Sequence, residues 1–471
     1  MTSNRNAGLV VAGMQSGDGK TVITCILLAA LRVRGVPIQP FKVGPDFIDP
    51  GYHSRVSGVV SRNLDAWLMG DDGIVDEVAV NSQGRVSIVE GVMGLFDGSE
   101  TQSDEGSTMA LARLLGWPVV LVVTARKAGR SLAVALRGFI EEAGQIAGFI
   151  LNGVSGESHA AYLREAIGPL NIPVLGALPF CPQLVWEERH LGLQASQEPE
   201  VTSPQELASL AERHLDVSAL LELACTSSRD GQSRWAPDDH REEPSHQYPS
   251  RRASREERSR LVRETLRIGV ARDEAFHFYY QANLDYLIHA GAELVEFSPV
   301  RDSALPTDLD AIFLGGGFPE VFAEQLSQNN SMRAEIRSAI RHGLACYAEC
   351  GGLMLLAEEL ITLDRKVYPM AGVIPGAVQM TESLKHFGYC VCSAAERTAD
   401  PPFRGHEFHH SLWAEEPEYA NLWMVRRKRT GRTRREGFAR ENLHASYVHL
   451  HFRTSGAVLR PFLNLRGSEI L

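Results

Sequence analysis

The 471-residue sequence is short of several things, and each shortage closes off a class of protein. No apolar run reaches the eighteen or so residues needed to cross a bilayer. The segment from Met1 to Val11 is polar with one short apolar run, and carries neither the apolar core nor the cleavage site of a signal peptide. Cysteines number only seven, an odd count at irregular spacing that describes no disulfide framework and fits a reducing compartment. Positive charge is not in excess: 47 Lys and Arg against 58 Asp and Glu leave a net charge of -11, without the basic surface that phosphate-backbone binding requires. The expectation is a cytoplasmic protein with neither membrane nor nucleic acid among its partners. What remains, 44% hydrophobic and 22% charged residues, is ordinary globular composition, and the length suits two large domains.

Between Ala7 and Pro179, β-branched runs at 8–13, 38–43, 86–92, 119–124, 146–152 and 174–178 read as buried strands. Helix-length segments such as 21–34, 108–115, 131–143 and 160–167 lie between them, which predicts an α/β fold with a parallel sheet covered on both faces. From 226 to 264 the composition shifts to Arg, Glu, Ser, Asp, Gln and Pro with almost nothing for a core, and reads as a charged flexible linker. Strands at 266–271, 293–297, 311–314 and 345–348 then open a second α/β domain, 265–471, which turns β-rich beyond Met370, at 388–393, 407–412 and 443–452.

In the first domain, 1–225, the opening strand runs into Gly13-Met-Gln-Ser-Gly17-Asp-Gly19-Lys20-Thr21 and then an amphipathic helix. Such a P-loop turns backbone N–H groups around a polyphosphate; Lys20 would neutralise the phosphates of ATP and the Thr21 hydroxyl would ligate Mg²⁺. Five residues separate Gly13 from Gly19, a loop length that resembles the dethiobiotin synthetase branch, where ATP activates a carboxylate or carbamate. The extra lysine of partition-type nucleotide-switched ATPases is missing. Lys42-Val-Gly-Pro-Asp46-Phe-Ile48-Asp49 places a cation and two carboxylates at the end of the second strand, where parallel sheets bind ligands. Glu90 ends the third at the height of the metal, and Asp65, in Arg62-Asn63-Leu-Asp65-Ala66, is a further oxygen donor by likeness to the dethiobiotin synthetase site.

In the second domain a strand ending Ala345-Cys346-Tyr347-Ala348 leads to Glu349-Cys350-Gly351-Gly352 and a helix expected over 353–360. A cysteine on such a turn is an exposed nucleophile, whereas Cys346, on the strand itself, reads as packing. In Ser446-Tyr-Val-His449-Leu-His451 the two histidines would share one face of a strand, one taking the thiol proton while the other orients it. Gly315-Gly316-Gly317, with Gly351, would supply N–H groups to an oxyanion.

Together these motifs resemble the cobyrinic acid a,c-diamide synthase family over nearly the whole chain outside the linker. Lys42-Val-Gly-Pro-Asp-Phe-Ile-Asp, Glu90-Gly-Val-Met-Gly-Leu-Phe-Asp97-Gly, Ala271-Arg-Asp-Glu-Ala-Phe with Phe278-Tyr-Tyr, and Glu349-Cys-Gly-Gly-Leu-Met look like that family's signatures. The resemblance implies an ATP-dependent amide-forming domain joined to a class I glutaminase-like domain, with ATP and L-glutamine as co-substrates and a tetrapyrrole polycarboxylate as acceptor. It implies that Cys350 attacks glutamine with His449 as base, and that Asp46, Ile48 and Asp49 handle the substrate. It ties Glu90 and Asp97 to nucleotide, metal or active-site function. Asn152 is a candidate for the adenine, and Lys42 joins the nucleotide set. Siroheme and nickel-sirohydrochlorin are alternative acceptors, a homodimer is left open, and the partition-type reading is disfavoured by Cys350.

Overall fold

Two parallel sheets set out the two halves of the chain in the computed structural model, which describes residues 7–100, 102–181, 203–226, 265–395, 402–415 and 420–459. The charged stretch 226–264 lies outside the described residues except for Thr226, the last residue of a helix.

The first sheet has seven strands: β1 (Gly8–Gly13), β2 (Ile38–Val43), β3 (Arg62–Leu64), β4 (Val86–Glu90), β5 (Val119–Thr124), β6 (Ile146–Val154) and β7 (Val174–Pro179). They run parallel in the order β3-β2-β4-β1-β5-β6-β7. Strand alternation sends Val10, Ala12, Val89 and Leu121 into one apolar layer and Leu9, Val11, Ile88 and Val120 into the other, so both faces are covered. Each such Val, Leu or Ile side chain contributes about 1.5–3 kcal/mol by leaving water. The helix α1 (Lys20–Val33) starts directly after the glycine loop, and α2 (Asp49–Ser57) directly after the acid loop. Both loops therefore open at the carboxyl edge of the sheet, where β1 lies between β4 and β5.

The second half contains β8 (Leu266–Ala271), β9 (Phe276–Phe278), β10 (Ala292–Phe297), β11 (Ala311–Leu314), β12 (Gly316–Gly317), β13 (Ala345–Glu349), β14 (Ala357–Ile361), β15 (Val367–Pro369), β16 (Ile374–Met380), β17 (His386–Ala394), β18 (Phe403–His409), β19 (Ser411–Trp413), β20 (Trp423–Arg427), β21 (Thr433–Glu436), β22 (Phe438–Arg440), β23 (Leu443–Ser446) and β24 (His449–Leu450). Its main sheet runs β10-β8-β11-β13-β23-β22, parallel apart from the β22–β23 pair. A five-stranded antiparallel sheet, β21-β20-β17-β18-β24, stands beside it.

Three sequence expectations change here. The helix expected over 353–360 spans only Gly351–Leu356; Ala357 turns extended and its successors pair with β16, because a short apolar run takes whichever conformation its neighbours can pair. The strand expected over 407–412 is broken at His410 into β18 and β19. The strand expected over 443–452 is split between the two sheets: β23 closes on β13, β24 pairs with β18, and the chain is helical from Phe452. No helix among the described residues is long and apolar enough to cross a membrane.

Candidate active sites at the domain seam

In the glycine loop, Gly17 and Gly19 take φ of 83° and 89°, the left-handed backbone that folds the loop back over α1. Asp18 turns its carboxylate into the loop and accepts from the N–H groups of Met14 (2.8 Å) and Gln15 (3.0 Å). Asn152 Nδ2 donates to the Asp18 carbonyl (2.9 Å), so it braces the loop from the end of β6. Lys20 lies buried with its Nζ on the Met93 carbonyl (2.6 Å) and the Gln15 carbonyl (3.3 Å); burial, then the nearby Lys42 charge, lower its pKa. Thr21 donates to Glu90 Oε1 at 2.7 Å, so hydroxyl and carboxylate stand together as hard oxygen donors of the kind Mg²⁺ takes.

Glu90, fully buried, is the centre of this half. Burial alone would raise its pKa, but Lys42 (2.8 Å to Oε1) and His53 (2.6 Å to Oε2) hold it well below the usual carboxylate range. Lys42 Nζ also reaches Asp49 (2.6 Å) and, at 4.0 Å, Asp46. Asp49 is pushed up, first by burial and then by the Glu90 charge, while the three carboxylates together raise Lys42 against its own burial. Asp46 accepts from the Ile48 N–H at 2.7 Å, shaping the turn into α2, and Asp97 accepts from the Gly94 N–H at 2.9 Å.

Asp65 stands apart from the Thr21–Glu90 pair. One oxygen caps the helix Ala66–Asn81 through the Leu68 N–H (2.9 Å) and the other accepts from Tyr389 of the second half (2.8 Å). The expected ligand is thus a helix cap and an inter-domain tie in this structure. Burial raises its pKa to about 6. His53 was not singled out in the sequence, although its signal was there: it lies four residues after Asp49, on the same face of α2.

Cys350 follows β13 at φ 47° and ψ -102°, a left-handed φ that costs a non-glycine residue energy and persists at functional turns. Gly316, Gly317 and Gly351 converge beside it: a Cβ on Gly351 would lie 3.0 Å from the Gly317 nitrogen, and one on Gly316 would lie 2.7 Å from His449 Cε1. His449 lies close enough to Cys350 for the thiol to raise its pKa, and its Nδ1 lies 3.0 Å from Glu349 Oε2. Burial would lower the His449 pKa, but Cys350 and Glu349 together raise it to about 10. Glu349 is itself fixed, accepting from the Tyr347 hydroxyl (2.7 Å) and the Leu450 N–H (3.3 Å).

The third group of the triad is therefore Glu349, and the expectation that His451 orients His449 is corrected. β24 ends at Leu450 and His451 caps the helix Phe452–Ser455, so one strand does not carry the pair, and the group that meets His449 Nδ1 is Glu349. Glu349 lay in plain sight beside the nucleophile. Reading the motif as an elbow alone hid that a strand-end side chain can reach across to the next strand. Cys346 is fully buried, and burial pushes its thiol pKa well up.

Replacing Glu349 by Gln removes a charge that raises the His449 pKa, so the imidazolium is lost at lower pH. The alkaline limb of glutamine kcat/KM should move down in pH, with a loss on the order of 10²-fold at its optimum. A pH–rate profile for Glu349→Gln that superimposes on the parent's would contradict this assignment.

The two sites meet. Phe47, between Asp46 and Asp49 of the acid loop, stacks on Phe278 (5.1 Å between ring centroids) and Tyr280 (4.6 Å) and packs on His449 (5.0 Å). Around it the halves are tied by Arg62 to Asp285 (2.5 Å), Arg453 to Asp76 (2.6 Å), Lys428 to Glu105 (2.7 Å) and Thr454 to the Leu68 carbonyl (2.5 Å).

Residues 9–193 match the CobQ/CobB/MinD/ParA nucleotide binding domain and residues 267–457 the CobB/CobQ-like glutamine amidotransferase domain. With the geometry above, this defines the class: an ATP-binding P-loop half joined to a glutamine amidotransferase half, a carbon–nitrogen ligase that draws its amide nitrogen from glutamine. The chain is 39% identical over 465 residues to the cobyrinate a,c-diamide synthase of Listeria innocua, covering 96% of this chain and 97% of that one. It is 38% identical over 473 residues to the enzyme of the same name from Salmonella typhimurium, covering 98% of each. The chain belongs to the cobyrinate a,c-diamide synthase family. A crystal structure of a glutamine amidotransferase overlaps at a TM-score of 0.29 and 18% identity, over 41% of this chain and 97% of that one, too little to carry an argument.

Proposed function

We propose that this enzyme converts the a and c acetate carboxylates of cobyrinic acid into carboxamides, using ATP to form an acyl phosphate and glutamine to supply ammonia. The observation that carries the reading is the contact of the acid loop, through Phe47, with His449 of the Cys350–His449–Glu349 triad. A pocket that frees ammonia and a pocket that holds buried carboxylates and a P-loop share one wall.

The chemistry needs both. A carboxylate is a poor electrophile with a poor leaving group, whereas an acyl phosphate can be attacked by ammonia. Cys350 attacks the glutamine carboxamide, the imidazolium of His449 protonates the departing ammonia, and the Gly316, Gly317 and Gly351 N–H groups face the oxyanion. In the first half, 1–225, Lys20 and the glycine loop would hold the triphosphate. Lys42, paired with Asp46, Asp49 and Glu90, sits where charge develops as phosphate is transferred. The Thr21–Glu90 oxygens fit Mg²⁺, which would neutralise phosphate charge when bound. Residues 265–471 would form the glutaminase, and the fitting compartment is the cytoplasm.

The test is mass spectrometry of cobyrinate after incubation with enzyme, ATP, Mg²⁺ and glutamine. Two hydroxyl-to-amino exchanges are expected, with ATP consumed. Parallel incubations with siroheme and nickel-sirohydrochlorin decide the acceptor: amidation of either, with cobyrinate untouched, would overturn it.

A further inference from the structure

Three buried polar atoms along the seam hydrogen-bond to nothing among the described residues: the Tyr280 hydroxyl, His406 Nδ1 and His451 Nδ1. Their side chains are all more than nine-tenths buried, at 2%, 6% and 3% exposure. Buried groups of this kind are nearly always bonded, so three in one place need an explanation. They are also contiguous with the aromatic contact between the sites. Tyr280 stacks on Phe47 at 4.6 Å and lies 5.8 Å from the His451 ring. His406 is the register partner of His449 across β18 and β24, so the two share a sheet face, and it packs against Tyr389 at 5.7 Å. Tyr389 in turn donates to Asp65 of the first half. Tyr280 thus lies on Phe47, His451 lies on Tyr280, and His406 stands beside His449, whose ring also packs on Phe47, so the three residues form one run from the triad histidine to the loop that carries Asp46 and Asp49.

We propose that Phe47 is the gate, and Tyr280, His406 and His451 the lining, of the passage by which ammonia crosses from the glutaminase pocket to the acid loop. This rests on the function proposed above and specifies its route. Ammonia offers three N–H donors and one lone pair, so it can bond in turn to an imidazole nitrogen or a phenol without leaving any of them charged. The lining suits the cargo in a second way. Burial lowers the pKa of His406 to about 3 and of His451 to about 4, so both rings stay neutral near pH 7 and do not protonate the nucleophile. A single apolar ring between the pockets keeps water out, and because it belongs to the acid loop, its position follows that of Asp46 and Asp49.

The test uses full-length enzyme with cobyrinate, ATP, Mg²⁺, unlabelled glutamine and excess ¹⁵N-ammonium, reading the isotope in the product amide and the glutamine consumed per amide formed. At a pH where little of the ammonium is free ammonia, parent enzyme should build its amides from glutamine and carry little ¹⁵N. Phe47→Ala should admit ¹⁵N and raise glutamine consumed per amide by roughly 2- to 30-fold, the span of coupling effects of ~0.5–2 kcal/mol. Phe47→Trp should close the passage: glutamine is still hydrolysed, while amide forms only from external ammonia. Tyr280→Phe with His451→Leu should waste glutamine in the same sense. Amidation supported by ammonia alone reports folding of the first half, and Phe47→Leu substitutes if Phe47→Ala is unstable. Variants that carry as little ¹⁵N as the parent and keep its ratio overturn the route alone. Parent enzyme that takes up ¹⁵N in proportion to bulk ammonium overturns enclosed transfer itself.

Discussion

Cys350→Ala is expected to lose glutamine-supported amidation by about 10³- to 10⁶-fold, the range found when a nucleophile is removed from a triad, while amidation from free ammonia stays near the parent rate. The separation follows from the structure. Cys350 lies at the end of β13 in the second half, close to His449, and touches none of Lys20, Thr21, Lys42, Asp49 or Glu90 among the contacts described. Alanine deletes a sulfur from a site already closed by Gly316, Gly317 and Gly351, so the turn is kept. Two assays decide it: product amide with glutamine, and product amide with ammonium chloride at a pH where free ammonia is plentiful. Loss of both nitrogen sources together would mean that the thiol serves the ATP-dependent step, and the division of labour would be wrong.

The second large effect is at Lys20. Lys20→Ala should lower amidation from glutamine and from ammonia alike by about 10²- to 10³-fold, the usual loss when one preorganised charge is taken from a transition state. Glutaminase turnover should be at least partly retained. In this structure the Lys20 ammonium is held by two carbonyls, of Met93 and Gln15, and burial together with Lys42 already lowers its pKa. A polyanion at the loop would supply the charge it lacks. Lys20→Met, which keeps the apolar stem, separates charge from packing. If Lys20→Met amidates at the parent rate with either nitrogen source, the loop is not where the triphosphate is handled. Glu90 is a poorer test of the same idea, because its carboxylate pairs with Lys42 and His53 in the core. Removing one partner of such a buried group costs about 3–5 kcal/mol of stability whatever happens to catalysis.

Much of this was legible in one dimension. The strands 8–13, 38–43, 119–124, 266–271 and 311–314 match the structure residue for residue, because each is a short apolar run bounded by turn residues and buried on both faces. The glycine loop, the acid loop and the cysteine elbow are equally local: the chemistry and the turn that presents it are written in the same few neighbours. The histidine pair shows where such reading stops. A period of two is meaningful only while the strand continues, and the exchange of sheets between β23 and β24 is set by which strands lie alongside, a fact of long-range pairing.

By itself, then, the sequence determined two α/β halves and their order, and it marked the candidate residues for phosphate, metal and thiol chemistry, since these depend on side chains a few positions apart. Only the tertiary structure decided that Glu349 rather than His451 steadies His449, that His53 holds Glu90, that Asp65 reaches Tyr389, and that Phe47 brings one site against the other. Each of these is a contact between segments tens to hundreds of residues apart. Such contacts form because folding buries both partners together, and no local pattern marks which partner that will be.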